Sequence, residues 1–457
     1  MPRVAESGIS PVNLLAPTAE AAARSLAIAL LALALARPLA RLLAHTHGRR
    51  RTVTWALLLA PLLTPALLVS YAYSHLALRL MAVPGGGTAL YFVALALKFT
   101  PVAVLVLHFA PPALAEEGAH CHALLGRSWC QGWMFRIRGA GRTPWIAGGL
   151  VLLIAFTDFE LASLWSVKTW TVALFDAQTG GLALGESLRL AALPLGIEVA
   201  ALALLLRRAD AAPSVPAGWK TPGPAARRAS FIYLAVAALA ACALPLLIVA
   251  AQAASGIPAI AQNFVLGGDL ATSVAFAIGA SVCAWPLAGW IARRRGIALG
   301  LCVPGLLGAL LLSLFVLTAF QLPLLRAAYD MPIPLLLALT LLLVPLAVPL
   351  CWLLDTARRD PALHLAHMAG AREVIWRLDT RRRWLAAFLL FYWAYFDFTA
   401  GSILAPIGLT PVFARLHNLA HYGQTAVLSA MMLAAFAVPV LVLALAAAAA
   451  RVVAGRR

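Results

Sequence analysis

SLAIALLALALARPLARLLA, residues Ser25–Ala44, returns later in the chain as SVAFAIGASVCAWPLAGWIA, residues Ser273–Ala292. The two stretches align without a gap, place Pro38 on Pro286, and are each followed by a cluster of arginines. Each is apolar over about 20 residues, which is enough for one α-helix to span a hydrocarbon core of ~30 Å. A membrane-length segment that occurs twice predicts two related halves in one chain.

A second pair of segments supports this duplication. FTDFELASL, residues 156–164, reappears as YFDFTAGSI, residues 395–403. Three positions agree across the pair: Asp158 with Asp397, Phe159 with Phe398, and Ser163 with Ser402. Chance similarity between helices rich in Ala and Leu is the alternative, but the matches include Pro, Asp and Ser and keep their order. Two related halves in one apolar chain favour a pseudo-symmetric pathway, most often that of a transporter.

The composition places the chain in a membrane. Hydrophobic residues make up 63% of it and charged residues 11%, and the mean hydropathy is +0.91. A soluble domain carries about 25% charged residues, so this chain has too few to cover a water-exposed surface. Because apolar runs of about 20 residues recur throughout, the sequence predicts an all-α, multi-pass membrane protein.

About eleven membrane helices are predicted from these runs. They lie near 22–43, 54–74, 88–110, 143–164, 185–206, 231–253, 271–292, 297–319, 332–354, 384–405 and 426–450. A stretch rich in Pro, Ala and charge at 207–230 reads as a cytoplasmic linker, between a first half over 1–206 and a second half over 231–457. Each half has a core of five helices, and the extra helix at 231–253 restores the orientation, so the repeats are predicted to be parallel.

The positive charges indicate orientation rather than nucleic-acid binding. The formal net charge is +18, but the arginines lie in short loops between apolar runs, as the positive-inside rule expects. Twenty-five of the thirty-five lysines and arginines fall on one side, and five on the other. The richer side is predicted to be cytoplasmic, so the N-terminus faces outward. The basic cluster at 381–383 is expected to contact anionic lipid.

Two long cytoplasmic loops, at 111–142 and 355–383, occur at corresponding places in the two halves. Each contains a short helical segment, a glycine, and then a basic and aromatic segment. Most connections are about 4–6 residues long, so loops of this length predict a surface for a soluble partner. The residues expected to form that surface are His120, Gly126, Trp133 and Arg136 in the first loop, and His364, Gly370, Ala371, Trp376 and Arg377 in the second.

Asp158 and Asp397 occupy matching positions within predicted membrane helices. An ionised carboxylate deep in a bilayer costs about 2.5–3.5 kcal/mol, so a role near the outer mouth of the pathway is one interpretation. Carboxylates that pack or lie near the outer headgroups are the other. The predicted pathway residues are Asp158, Phe159, Ser163, Asp397, Phe398 and Ser402. Lys98 and Glu198 are further intramembrane charges that could pair with each other or face the cavity.

No reactive site is predicted. His120, Cys121 and His122 are adjacent on a helix and point in different directions, so they cannot easily close a tetrahedral metal site. The phosphate-binding pattern GxxxxGK[ST] does not occur, so ATP, if it is the energy source, must be hydrolysed by another chain. We therefore expect no catalytic residue, no metal and no cofactor.

At its two long loops the chain resembles the type I membrane subunits of binding-protein-dependent ABC importers, in particular the fused, two-half permeases of the ferric-iron, thiamine and phosphonate group. The family's loop has the form EAA-x3-G, followed by a basic, β-branched, Leu-Pro segment. Here Gly126 is followed by RSWCQGWMFRIRGAGRTP and Gly370 by AREVIWRLDTRRR. The family's glutamate, six residues before the glycine, is replaced by His120 and His364.

This resemblance implies a mechanism and its partners. Each loop would place a coupling helix on one of two ATPase subunits, whose ATP-driven closure would switch the permease from inward-facing to outward-facing. A small solute would arrive on a periplasmic binding protein, and family frequency alone favours ferric iron. The protein would lie in a bacterial inner membrane in contact with lipid, would bind no nucleic acid, and would catalyse no bond chemistry itself.

Two other functions are open on the sequence alone. A self-contained secondary carrier with parallel repeats would need a buried proton- or ion-coupling carboxylate at mid-membrane and would not need docking loops. A membrane-embedded enzyme, such as a lipid-linked glycosyltransferase, would need acidic or histidine groups in outer loops. The chain offers few of these: Asp176, Asp269, Asp330, His417 and His421. The matched cytoplasmic loops favour the importer.

Overall fold

The computed structural model describes residues 14–109, 143–209, 221–261, 264–358, 361–420 and 425–455, together with 121, 124, 128, 130, 131 and 135. It is 86% helical, and the described residues contain no β-strand. The expected all-α class is therefore confirmed. The chain divides into two compact units, Met1–Leu244 and Pro245–Arg457, while the predicted boundaries of the halves and of the linker stay predictions.

The described residues of the first unit form eleven helices. They are α1 (Leu15–Ala44), α2 (Gly48–Leu63), α3 (Ala66–Ala72), α4 (Ser74–Met81), α5 (Gly86–Phe109), α6 (Thr143–Phe156), α7 (Glu160–Leu164), α8 (Trp170–Thr179), α9 (Leu184–Leu190), α10 (Ala192–Ala209) and α11 (Pro224–Ala238). A π-helical turn, Leu239–Ala243, follows α11.

The second unit is also built of helices. They are α12 (Leu244–Ala261), α13 (Phe264–Arg293), α14 (Arg295–Leu306), α15 (Gly308–Phe320), α16 (Ile333–Arg358), α17 (Pro361–Met368), α18 (Arg372–Ile375), α19 (Arg381–Phe396), α20 (Thr399–Leu404), α21 (Val412–Ala420) and α22 (Thr425–Gly455). A 3₁₀ turn, Arg326–Ala328, precedes α16, and a π-helical turn, Trp376–Thr380, joins α18 to α19.

Seven helices in the described ranges are long and apolar enough to cross a membrane, or up to ten if each of three bent pairs is one span. The bent pairs are Gly48–Leu63 with Ala66–Ala72 (79°), Leu184–Leu190 with Ala192–Leu205 (50°), and Gly300–Leu306 with Gly308–Phe320 (103°). By length and composition the chain is a multi-pass membrane protein, and the count of eleven stays a prediction. The predicted stretch that is not among the ten, 384–405, holds α19 and α20, which are 16 and 6 residues long.

The core of the first unit is a bundle of α1, α5 and α6, which pack on one another. α1 buries a stripe of small and aliphatic side chains: Ile28, Ala29, Ala32, Ala36, Leu39, Ala40 and Leu43. Spacings of three and four residues put them on one helix face, and the alanines let neighbouring backbones approach closely. On α6, a Cβ at Gly148 or Gly149 would collide with Leu33 of α1 or Leu205 of α10, so these glycines permit the tight packing.

The core of the second unit is the bundle of α13, α16 and α19. The buried stripe of α13 repeats that of α1 in the register of the sequence alignment: Phe276, Ala277, Ala280, Ala284, Ala288 and Ile291. The buried positions of α5 and α16 also correspond once Pro101 is placed on Pro345: Leu95 with Leu339, Phe99 with Leu343, Ala103 with Ala347, and Val104 with Val348. The same faces of corresponding helices are therefore buried within each unit.

Candidate functional site

Asp158 and Asp397 lie at breaks between helices rather than inside them. Asp158 stands between α6 and α7, and Asp397 stands between α19 and α20. The continuous helices expected at 143–164 and 384–405 are thus interrupted. An aspartate side chain competes for backbone groups that would otherwise extend the helix, which accounts for a break at the same place in each unit.

Each of the two carboxylates caps the short helix that follows it. The backbone N–H groups of Leu161 and Ala162 are close enough to the carboxylate of Asp158 to stabilise its charge. The N–H of Ala400 donates to Oδ1 of Asp397 at 2.9 Å, and the next backbone N–H also bonds this carboxylate. These donors belong to the first turn of a helix, which has no intrahelical acceptor for them. Both acids therefore have a structural role in starting α7 and α20.

The surroundings of Asp158 are polar and charged. The hydroxyl of Tyr91 donates to Oδ2 of Asp158 at 3.0 Å, and the hydroxyl of Thr171 donates to its backbone oxygen at 2.9 Å. Lys98 is close enough to act on the charge of Asp158. The guanidinium of Arg24 lies over the Tyr91 ring, 5.2 Å from its centroid. Asp158 is thus a hydrogen-bonded carboxylate with a cation nearby.

The surroundings of Asp397 are mostly apolar. It lines a small pocket with Ser273, Phe276, Leu335, Leu339, Ala394, Tyr395, Gly401 and Pro411. The Tyr395 hydroxyl is used elsewhere, because it donates to the backbone oxygen of Ala435 at 2.9 Å. Among the described residues, the Asp397 carboxylate is hydrogen-bonded by backbone N–H groups and by no side chain. The two matching acids therefore differ in their electrostatic environment.

One pair of positions accounts for much of this difference. When α5 is aligned on α16 by their shared proline, Tyr91 falls on Leu335, and both side chains are buried. The hydroxyl of Tyr91 reaches Asp158, whereas Leu335 lines the pocket of Asp397 without a polar group. Tyr91 was not among the residues predicted from the sequence. The signal that could have found it is the gapless match between α5 and α16 around that proline.

The two phenylalanines of the predicted pathway pack against neighbouring rings. Phe159 and Phe398 are buried, with 3% and 1% of their surface exposed. The ring centroid of Phe159 lies 4.8 Å from that of Phe175, and the centroid of Phe398 lies 4.7 Å from that of His417. Each thus anchors the segment that follows its acid, and their lining of a pathway stays a prediction.

The two serines of the predicted pathway bond within their own short helices. The hydroxyl of Ser163 donates to the backbone oxygen of Glu160 at 3.1 Å, and that of Ser402 donates to the oxygen of Thr399 at 2.9 Å. The matching distances extend the correspondence between the units beyond the acids. Because a hydroxyl oxygen still has lone pairs when it donates, each serine can also accept a hydrogen bond.

The segment after Asp397 is fixed to α13 by polar contacts. Arg415 of α21 forms a salt bridge with Asp269, whose side chain is nearly buried. The hydroxyl oxygen of Ser273 accepts a hydrogen bond from the N–H of Val412 at 2.7 Å. His417 of α21 is 5% exposed. Asp269 is therefore held in a salt bridge, and His417 packs on the ring of Phe398.

The second loop that the sequence predicts to be cytoplasmic contains α17, which ends in a glycine turn. Gly370 has a φ of +63°, which is the left-handed conformation that favours glycine. The N–H of Gly370 donates to the oxygen of His367 at 3.3 Å, and the N–H of Ala371 donates to that of Ala366 at 2.9 Å. This pair of bonds closes a helix C-terminus in a Schellman motif. The predicted helix–Gly–helix loop is thus observed here, with a physical reason for its glycine.

α17 presents apolar side chains on its free face. Leu363 and Ala366 are buried at 5% exposure each, whereas Leu365 and Met368 are 64% and 75% exposed. His364 lies on the exposed face as well. Exposed apolar side chains that stand together on a loop helix are typical of a contact site for another protein.

The structure describes only some of the remaining predicted docking residues. Trp376 is half-buried at the start of the π-helical turn, and Arg377 follows it, with its side chain outside the described residues. Two turns of chain further on, Arg383 forms an ion pair of 2.7 Å with Asp379. The docking residues predicted in the first loop all lie outside the described residues: His120, Gly126, Trp133 and Arg136.

Lys98 and Glu198 do not act on each other in the part of the chain that the structure describes. Lys98 acts on Asp158, and no charged group acts on Glu198. The Glu198 side chain is fully buried at 0% exposure. Both of its carboxyl oxygens lack a hydrogen-bond partner among the described residues. Glu198 is therefore a buried acid that is not part of the matching pair of aspartates.

A metal centre is not found in the described ranges, where no three His, Cys, Asp or Glu side chains come together to hold an ion. His120 and His122 lie outside those ranges. The described cysteines are all free thiols. The described acids that lie within predicted membrane spans include Asp158, Glu198 and Asp397.

Comparison with known proteins identifies no relative of this chain, since no family model, curated protein or solved structure matches it. The features of the chain that bear on function are the helix arrangement, the loop that contains α17, and the environments of Asp158, Asp397 and Glu198.

Proposed function

We propose that this chain is the membrane-spanning permease subunit of an ATP-driven ABC importer, which gives a small solute an alternating-access pathway across a bacterial inner membrane. The observation that carries the proposal is the exposed apolar face of α17, where Leu365 and Met368 stand beside the turn at Gly370. On the predicted orientation this face lies in the cytoplasm. A short helix with an apolar face fits a groove on a soluble protein.

We also infer that the two halves are parallel repeats of one ancestral bundle. The matching buried stripes of α1 and α13, and of α5 and α16, support this inference. So do the two aspartates, because each caps a short helix with the same backbone spacing. Two repeated halves would offer two docking loops, and these match the two copies of an ATPase subunit.

A continuous run of helical residues connects the second loop to Asp397, which lies within a predicted membrane span. From Arg372 the chain is helical through α18, the π-helical turn and α19, up to the break at Asp397. α19 alone is 16 residues long, or about 24 Å at 1.5 Å per residue. A displacement of α17 by ATPase closure would therefore be transmitted along α19 to the helix break, where the backbone can bend.

The proposed permease needs no cofactor and makes or breaks no bond. ATP would be hydrolysed by the partner subunits, and the solute would be delivered by a periplasmic binding protein. Ferric iron is the solute that the family resemblance favours. The protein surface that contacts lipid would be the outward, leucine-rich faces of its helices.

The docking proposal predicts that Leu365→Asp combined with Met368→Asp lowers ATPase binding at least about tenfold. A charge on an apolar contact face is desolvated without a partner, and each 1.4 kcal/mol lost is a factor of ten. The measurement is copurification of an ATPase from membranes of the native host. Leu324→Asp is the matched control, because Leu324 is 90% exposed in the segment before α16, which the sequence predicts to lie on the outer side.

Retained ATPase binding in the double variant would remove the docking argument. Loss of binding in the Leu324→Asp control would show instead that any added charge disturbs the protein. Membrane insertion of all three proteins should be equal, because none of these side chains belongs to the buried core.

A self-contained secondary carrier is the second candidate, and Glu198 is the observation that favours it. A buried carboxyl group near mid-membrane is the feature that such a carrier needs. Proteoliposomes that contain this chain alone distinguish the two candidates, if a pH-sensitive dye inside them reports proton entry when a mixture of small solutes is added. The importer proposal expects no solute-dependent proton entry. Entry that Glu198→Gln abolishes would establish the carrier.

A further inference from the structure

Glu198 lies in the interior of the first unit, near the middle of Ala192–Leu205. It is six to seven residues from either end, or about 10 Å along the helix. It belongs to the inward stripe of its helix, whose buried members continue from α9 into α10: Ser187, Ala191, Pro194, Glu198 and Leu202. The carboxyl group therefore points into the protein, where α10 packs on α6.

The carboxyl group has no hydrogen-bonded partner among the described residues, at either of its oxygens. Buried polar groups are almost always hydrogen-bonded, so an acid left without a partner needs an explanation. Asp158 shows the usual solution, since the Tyr91 hydroxyl donates to its carboxylate, and two backbone N–H groups and Lys98 stabilise its charge.

The charged groups around Glu198 do not neutralise it. In the described chain, the helices that pack most extensively on α10 are α6, α1 and α9, and α6 has no titratable side chain. The charged residues of the other two are Glu20, Arg24, Arg37 and Arg41 on α1, and Glu186 and Arg189 on α9. None of them acts on the Glu198 carboxyl group. An ionised carboxylate would therefore lack both a donor and a counter-charge, which an apolar interior does not tolerate.

We propose that Glu198 is a proton-binding site, whose carboxyl group holds a proton in this conformation and exchanges it only when the packing of α10 on α6 opens. The close contact between Leu205 and Gly149 supports this, because it seals the same interface seven residues further along α10. Nothing in this inference depends on the source of energy for transport, so it goes beyond the importer proposal and stands separately from it.

A hydrophobic carbodiimide tests for the bound proton. Dicyclohexylcarbodiimide takes the acid's proton on one nitrogen while the carboxylate oxygen bonds to its central carbon. The acyl group then moves from oxygen to nitrogen, so the adduct keeps every atom of the reagent. With the full-length protein in lipid nanodiscs at pH 7, peptide mass spectrometry should find this added mass on Glu198 at least about tenfold above its level on Asp158, whose carboxylate is hydrogen-bonded.

Glu186 provides the matched control, because it is an exposed acid on the neighbouring α9. A water-soluble carbodiimide should modify Glu186 and leave Glu198 unmodified. Glu198→Gln should abolish the adduct of the hydrophobic reagent, and Glu186→Gln should leave it unchanged. Gln keeps the size of the side chain, so the variant should elute like the wild type on size exclusion.

Infrared spectroscopy gives a readout that does not depend on reagent access. The difference between wild type and Glu198→Gln should contain the carbonyl stretch of a protonated carboxylic acid at pH 7. Absence of that band, or modification of Glu198 by the water-soluble reagent, would overturn the proton site. Neither result bears on ATPase docking, which the α17 variants test.

Discussion

Asp158→Ala is expected to destabilise the protein by about 2–4 kcal/mol, because it removes a carboxylate that accepts a side-chain hydrogen bond and caps a helix. The change leaves Lys98 without the anion it acts on and the Tyr91 hydroxyl without its acceptor. It also frees the first N–H groups of α7, which the carboxylate caps. These losses occur together, so the effect should exceed that of a lost cap alone.

The same substitution at Asp397 should have a much smaller effect, of about 1 kcal/mol. Here the carboxylate caps α20 through backbone N–H groups and has no hydrogen-bonding side chain among the described residues. Its replacement removes the cap, but it does not leave a neighbouring cation without its anion. The two acids are equivalent in sequence, so unequal effects would report the different surroundings that the structure gives them.

The comparison can be measured as thermal unfolding in detergent, with all variants purified in the same way. Tyr91→Phe is the intermediate case, because it removes one hydrogen bond to Asp158 and should cost about 1 kcal/mol. Equal destabilisation by Asp158→Ala and Asp397→Ala would contradict the asymmetric environments. If Tyr91→Phe has no effect on stability, Lys98 would account for the difference between Asp158→Ala and Asp397→Ala.

Gly305→Ala is expected to destabilise the second unit by about 3 kcal/mol. The added Cβ would overlap the backbone oxygen of Leu341 on α16 and lie 2.7 Å from the ring carbons of Pro345. A backbone oxygen and a proline ring cannot rotate away, so α14 would have to move off α16. Overpacking of this kind costs about 1–3 kcal/mol or more.

Gly300 gives the matched control on the same helix, because no heavy atom lies within 4 Å of a Cβ built there. Gly300→Ala should be neutral or stabilise the protein by up to about 1 kcal/mol, since alanine favours a helix over glycine. Both variants can be followed by the reaction of a thiol dye with the buried cysteines of α14 and α16, Cys302 and Cys351. Equal unfolding of both variants would contradict the close approach of α14 to α16 at Gly305.

Several features were predictable from the sequence because they follow from local pattern. The all-α class and the membrane location follow from apolar runs of membrane length, and α1 and α13 lie where the repeated stretch places them. The glycine of the second loop was predicted to separate two helical segments, and Gly370 does so with a positive φ. Each of these depends on neighbours along the chain.

Other features depend on contacts between distant residues, which a single sequence does not reveal. Asp158 and Asp397 were identified, but not as the points where helices break, because their apolar flanks predict unbroken helices. Tyr91 was missed, since its importance lies in a hydroxyl 67 positions away from the acid it bonds. Glu198 and Lys98 were noted as a possible pair, and only the packing separates them.

Tyr91 and Leu335 also bear on why such a protein would be encoded as one polypeptide. On the proposed duplication, a homodimer of the ancestor had to present the same residue to both aspartates, so an improvement at one was imposed on the other. After gene fusion the copies could drift apart, and one half now has a phenol where the other has an aliphatic group. An artificial protein that joins two copies of the first half would regain the ancestral symmetry and lose this specialisation.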